Sequence, residues 1–69
     1  MFRIWNAGDM ETVVSRATRA QVVSFVEETL DIEIVQYGPA GESRFRKAVR
    51  HLANFDFEVY KILGNELVK

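Results

Sequence analysis

The sequence contains no cysteine, one proline (Pro39) and four glycines among its 69 residues. Without cysteine there is neither a disulfide framework nor a thiolate metal site. That excludes a small stapled secreted domain and makes a reducing cytoplasm the expected setting. So little proline and glycine leaves no linker long enough to divide the chain, and residues 1–69 are expected to form one domain. Long apolar runs are missing too. Nothing approaches the roughly 18 residues of a membrane span, and no charged-then-apolar signal segment opens the chain. The reading is of a soluble cytoplasmic protein with no membrane partner. Nor is there an excess of one charge sign: nine Lys and Arg stand against ten Asp and Glu, a net charge of −1. A general nucleic-acid binder is usually strongly basic.

Apolar residues are plentiful, at 48% with 12% aromatic, too many for a disordered chain. A core of this size supplies only a few kcal/mol of net stability, so a partner or a second copy would help it.

The charges that are present are segregated. Residues 44–51 (RFRKAVRH) carry four of the nine basic residues and the only His, with no acid among them. At 100° per residue Arg44, Arg46, Lys47, Arg50 and His51 share one broad arc of a helix, while Phe45, Ala48, Val49 and Leu52 fall opposite as a core stripe. Ahead of them Glu27, Glu28, Asp31 and Glu33 form an acidic patch.

Periodicity places these patches in a fold. Residues 2–6 alternate Phe2 and Ile4 against Arg3 and Trp5, as a half-buried strand does. Gly8 can supply the positive φ of a tight turn, and Thr12, Val13 and Val14 favour a second strand over 10–15. Thr18 with Gln21 three residues later fits a capping box, so a first helix is expected from there. Val22, Val23, Val26 and Leu30 share one arc of it, with Phe25 at the edge and Gln21, Ser24, Glu27 and Glu28 on the polar face. Their β-branched content keeps a strand over 22–26 open as the alternative. Ile32 and Ile34 alternate with Glu33, Val35 and Tyr37 in a third strand, broken by Gly38-Pro39-Ala40-Gly41. Ser43 is the N-cap expected for a second helix running to Ala53, with Asn54 suited to the left-handed residue that stops it. Phe55, Phe57 and Val59 alternate with Asp56, Glu58 and Tyr60 in a fourth strand, and Gly64-Asn65 can turn it into a short C-terminal hairpin. The order ββαβαβ describes an α+β fold: a small, single-layer, mostly antiparallel sheet with two helices on one face. If Phe2, Ile4, Ile32, Ile34, Phe55, Phe57 and Val59 face the helices, then Trp5, Val35, Tyr37 and Tyr60 lie on the other sheet face. There Trp5, Tyr37 and Tyr60 would form an aromatic partner or homodimer contact.

Three readings of the basic helix stay open. It can contact phosphates, with Arg forks and Lys point charges along one face. It can bind an acidic protein surface, or it can be a solvated face paired with the acidic patch. The acidic patch has an oddity of its own, since Glu27, Glu28 and Asp31 sit in or just past the last turn of the first helix, where the macrodipole disfavours anions. The basic helix is the nearest compensation, though an Arg-rich partner would serve.

Catalytic chemistry is not expected. His51 stands alone, so neither a metal site nor a Ser-His-Asp arrangement can be built around it, and no cofactor is expected. Ser15, Ser24 and Ser43 lack a nucleophile elbow, and Gly38-Pro39-Ala40-Gly41 lacks the spacing and Lys of a phosphate loop. Neither Glu27-Glu28 nor Asp56/Glu58 sits in an evident cleft.

Phe2-Arg3-Ile4-Trp5, Thr12-Val13-Val14 and the run from Ala17 through Thr18, Gln21 and Val23 resemble short phage and prophage open reading frames. The resemblance implies a host-directed interaction protein, a class that includes anti-CRISPR-type inhibitors acting on a defence complex. Such inhibitors share no motif, so no site residue follows from it. The expectation is a non-enzymatic protein-binding module, a phage-type inhibitor or accessory factor working by steric and electrostatic occlusion of a host protein complex. The alternative is a small nucleic-acid-binding regulator that uses the basic helix 44–51.

Overall fold

The computed structural model describes residues 1–35 and 43–69. Its elements follow in the order β1 (Phe2–Asn6), β2 (Glu11–Ala17), α1 (Arg19–Leu30), α2 (Arg44–Ala53) and β3 (Phe57–Lys61). The strands make one antiparallel sheet ordered β2-β1-β3. Both helices cover one of its faces, α1 against β1 and β2, and α2 against β3 and α1. The fold is α+β as expected, but among the described residues its order is ββααβ rather than ββαβαβ.

The N-terminal hairpin closes without help from Gly8. Met10 takes the positive φ, at 55°, while the Asn6 side chain accepts from the Asp9 amide and donates to its carboxylate. Seven residues of β2 run beside five of β1, and two register shifts absorb the excess. Such bulges twist an edge strand and spoil it as a template for further pairing.

Thr18 caps α1 in a complete capping box with Gln21, and the strand alternative for residues 22–26 is overturned. Val22, Val23 and Val26 are buried on one helical arc. Packing on that arc outweighs their modest helix propensity. Ser43 caps α2 by accepting from the Arg46 amide. Asn54 ends α2 in a right-handed conformation, not the left-handed one expected, and the left-handed residue of this turn is Asp56 at φ 62°.

Among the described residues the expected third strand is not formed. Ile32, Glu33, Ile34 and Val35 belong to no strand, and Gln36 and Tyr37 lie outside the described residues. The alternation in burial survives nonetheless, with Ile34 buried, Ile32 half-buried and Glu33 and Val35 exposed. Phe55 is likewise no core residue. At 57% exposure it sits in the turn after α2, its amide donating to the Leu52 carbonyl.

The core is Phe2, Ile4 and Ala17 of the hairpin, Val22, Val23 and Val26 of α1, Ile34, then Ala48, Val49 and Leu52 of α2 and Val59 of β3. Phe45 of α2 lies tilted against Phe2, ring centres 4.7 Å apart, and Arg19 lies over both rings. Past β3, residues 66–68 fold back along its outer edge. The Lys61 amide donates to the Glu66 carbonyl and the Val68 amide to that of Val59, around a turn with positive φ at Gly64 and Asn65. Of the expected C-terminal hairpin a single bridge, Tyr60 to Leu67, is formed.

Candidate functional site

The basic arc of α2 divides into two parts that do different things. Arg44 turns inward along the chain. Its guanidinium reaches the Glu27 carboxylate at 3.2 Å and its Nε donates to the Ile34 carbonyl at 2.9 Å. The other Glu27 oxygen accepts the Ile34 amide at 3.0 Å. One ion pair thus satisfies both backbone groups of Ile34, the pairing a neighbouring strand would otherwise supply. Lys47 donates to the next carbonyl, that of Val35. These two cations tie the segment after α1 to α2 and hold Ile34 in the core.

Arg46, Arg50 and His51 are exposed, as Arg44 is in part. Arg46 and Arg50, one turn apart, line a groove of about 460 Å³ beside α2. Its apolar lining comes from Val49 and Ala53 of α2, Phe57 and Val59 of β3, and Leu67 and Val68 of the returning C-terminal segment. Asp56, Glu58 and Lys69 also border it. The Glu58 carboxylate itself accepts from the Tyr60 hydroxyl on the opposite sheet face, 2.9 Å away. Residues 66–68 pair along the outer edge of β3 and supply the far side of the groove.

The residues of the acidic patch differ in exposure. Glu27 is half-buried and engaged by Arg44, while Glu28, Asp31 and Glu33 are exposed. Asp31 is the left-handed C-cap of α1, with φ 53°.

Compared with protein-family models, with curated proteins and with solved structures, the chain matches none significantly. Its site therefore rests on its own residues.

On the open sheet face, Trp5 and Tyr60 are both half-buried, on adjacent strands where β1 pairs with β3. The third aromatic expected with them, Tyr37, lies outside the described residues. Arg3 stacks on the Tyr60 ring at 5.4 Å and donates to the Asn65 side chain, so this face is knitted by polar contacts rather than left bare. The hydrogen bond to Glu58, then burial, raises the Tyr60 pKa above the ordinary 10.0.

Among the described residues no three His, Cys, Asp or Glu side chains gather as a metal site would require, and no helix is long and apolar enough to cross a membrane. The sequence reading found the cations of α2 but not the groove next to them. Its walls come from Ala7 and from residues between Arg46 and Lys69, and only Leu67 and Val68, apolar residues beyond the Gly64-Asn65 turn, hinted at a further covering segment.

Proposed function

We propose that this chain is a non-enzymatic protein-binding module whose contact surface is the outer face of α2 together with the groove it borders. The observation that carries the reading is an apolar groove, lined from Val49 to Leu67, with Arg46 at its edge. Charged residues at the edge of an apolar slot steer and orient a partner, while the slot supplies the contact area. In the setting that the resemblance to short phage reading frames implies, the partner is a host protein complex in the cytoplasm, and the module acts by occluding a site on it. Capture from bacterial lysate tests this. A partner should be retained by the wild-type chain and by Arg16→Glu on β2, and lost with Arg46→Glu or with Ala53→Trp, which fills the groove. A partner retained equally by all four chains would place the contact elsewhere, and retrieval of this chain alone would sink the reading.

The exposure of Arg46, Arg50 and His51 on one helix face also favours a second reading, a small nucleic-acid-binding regulator. It is the weaker one, because Arg44 and Lys47 already serve carbonyl and carboxylate groups within the fold. A gel shift at low salt that fades steeply as salt rises would support it.

A further inference from the structure

We infer that residues 32–35 form a strap that opens from α1 and α2 while the sheet and both helices stay folded, with the Glu27 carboxylate as its latch. Opening withdraws Ile34 from the core and releases the Arg44 guanidinium, so the order of this segment sets the charge that α2 presents. The strap is a property of the chain alone and does not depend on the binding-module reading above.

Three observations point to a strap. The first is how the segment is held. The strands are fixed by backbone pairing with one another. Residues 32–35 make one backbone bond to the rest of the described chain, from the Ile32 amide to the Glu27 carbonyl at the end of α1. Side chains do the remainder. A Glu27 oxygen accepts from the Ile34 amide at 3.0 Å, Arg44 Nε donates to the Ile34 carbonyl at 2.9 Å, and Lys47 donates to the Val35 carbonyl. Water competes for such contacts, since the Arg44 side chain is 46% exposed and that of Glu27 26%. Exposed hydrogen bonds and little buried apolar area put a segment at the low end of the opening free energies within one fold.

Second, the latch is one group. The two oxygens of the Glu27 carboxylate lie 3.2 and 3.3 Å from Arg44 Nη2, and Arg44 is the residue that grips the Ile34 carbonyl. Losing that carboxylate frees the Ile34 amide and loosens the cation on its carbonyl together. Third, little of the core leaves with the strap. Ile34 is the one member of the buried cluster in this segment, and the other ten lie on β1, β2, α1, α2 and β3. Those elements pack on one another directly, α1 on α2 and β1 between β2 and β3. A closed strap pairs Arg44 with Glu27, and an open one leaves an uncompensated cation in the first turn of α2.

Amide hydrogen exchange on the full chain tests this, read residue by residue by NMR in increasing urea. The Ile34 amide is expected to exchange about tenfold or more faster than those of Val26 and Val59, at a rate that low urea leaves unchanged. Thr18→Ala weakens α1, which stays folded in the open form. It should speed Val26 about fivefold and leave Ile34 unchanged. Arg44→Ala keeps the Glu27 acceptor for the Ile34 amide but unfastens the latch, and should speed Ile34 about fivefold or more. Because the chain has no cysteine of its own, the Ile34→Cys thiol reports on the side chain. With circular dichroism like that of the wild type, it should react with a thiol reagent well below the urea that unfolds the chain. An Ile34 amide that shares the rate and urea dependence of Val26 and Val59 would overturn the strap, since the segment would then open only with the whole chain. So would an Ile34 rate that follows Thr18→Ala, one that ignores Arg44→Ala, or an Ile34→Cys thiol that reacts only as the chain unfolds. None of these results bears on partner capture, so the strap and the binding module can fail separately.

Discussion

At the scale of single residues, Glu27 accounts for more of this structure than its place in a charged cluster suggests. Its carboxylate accepts from the Ile34 amide and from Arg44, and its side chain is 26% exposed, so solvent screens the contact only in part. Glu27→Ala is expected to cost about 1–2 kcal/mol in urea denaturation, after discounting for that exposure. Glu27→Gln, which keeps an acceptor for Ile34, should cost less, and Arg44→Ala added to Glu27→Ala should cost less than the sum. Equal losses for the Ala and Gln variants would contradict the role given to the backbone contact. Tyr60 offers a pH-dependent counterpart. The neutral phenol donates to Glu58, and its ionisation would set two anions side by side, so the folded chain holds this proton more tightly than the unfolded one. Its contribution to stability is complete below the ordinary phenol value and is lost as pH rises through the raised one. Absorbance titration in a Tyr37→Phe background should find Tyr60 ionising above 10.0, and Glu58→Gln should bring it down.

At the scale of elements, the ends are more informative than the middles. Thr18 and Gln21 satisfy orphan amides at the start of α1, and Thr18→Ala should cost about 1 kcal/mol in thermal melts. Met10 and Asp31 hold left-handed backbone without being glycine, and Asp31 also places a carboxylate at the negative end of α1. Met10→Gly and Asp31→Gly should therefore each raise stability by about 0.5–1 kcal/mol, visible as a higher Tm. A fall in Tm for either would mean that its side chain makes a contact worth more than the relief of strain. Both helices, with Thr18 and Ser43 as their caps, and the N-terminal hairpin were legible in the sequence, because capping and periodicity act within a few residues. Residues 32–35 form no strand for a related reason. Alternating Ile32 and Ile34 encodes an inward and outward rhythm, but only a neighbouring backbone turns that rhythm into a strand. Here side chains of α1 and α2 serve Ile34 instead.

At the scale of the whole molecule, a small core carries the fold, and Leu52 and Ile4 are among its fully buried side chains. Leu52→Ala should cost about 2–5 kcal/mol, comparable with the total stability of a domain this size. Calorimetry should then find no cooperative transition, whereas Leu63→Ala, at 92% exposure, should melt as the wild type does. The candidate contact surface lies at the margin of that core, between α2, β3 and the returning segment 66–68.

The sequence by itself determined the local elements around its caps and the segregation of charge: where helices begin, which residues of α2 face the core, and that its outer arc is basic. Those properties depend on neighbours within a turn or two, which the order of residues fixes directly. Tertiary structure alone decided that Arg44 belongs to Glu27 and Ile34 while Arg46 and Arg50 border a groove. It also decided that Leu67 and Val68 close the far side of that groove. Adjacent cations on one helix differ in role only through what lies across from them. That is set by how α1, α2 and the returning C-terminal segment close around one core, a matter of packing between residues distant in sequence.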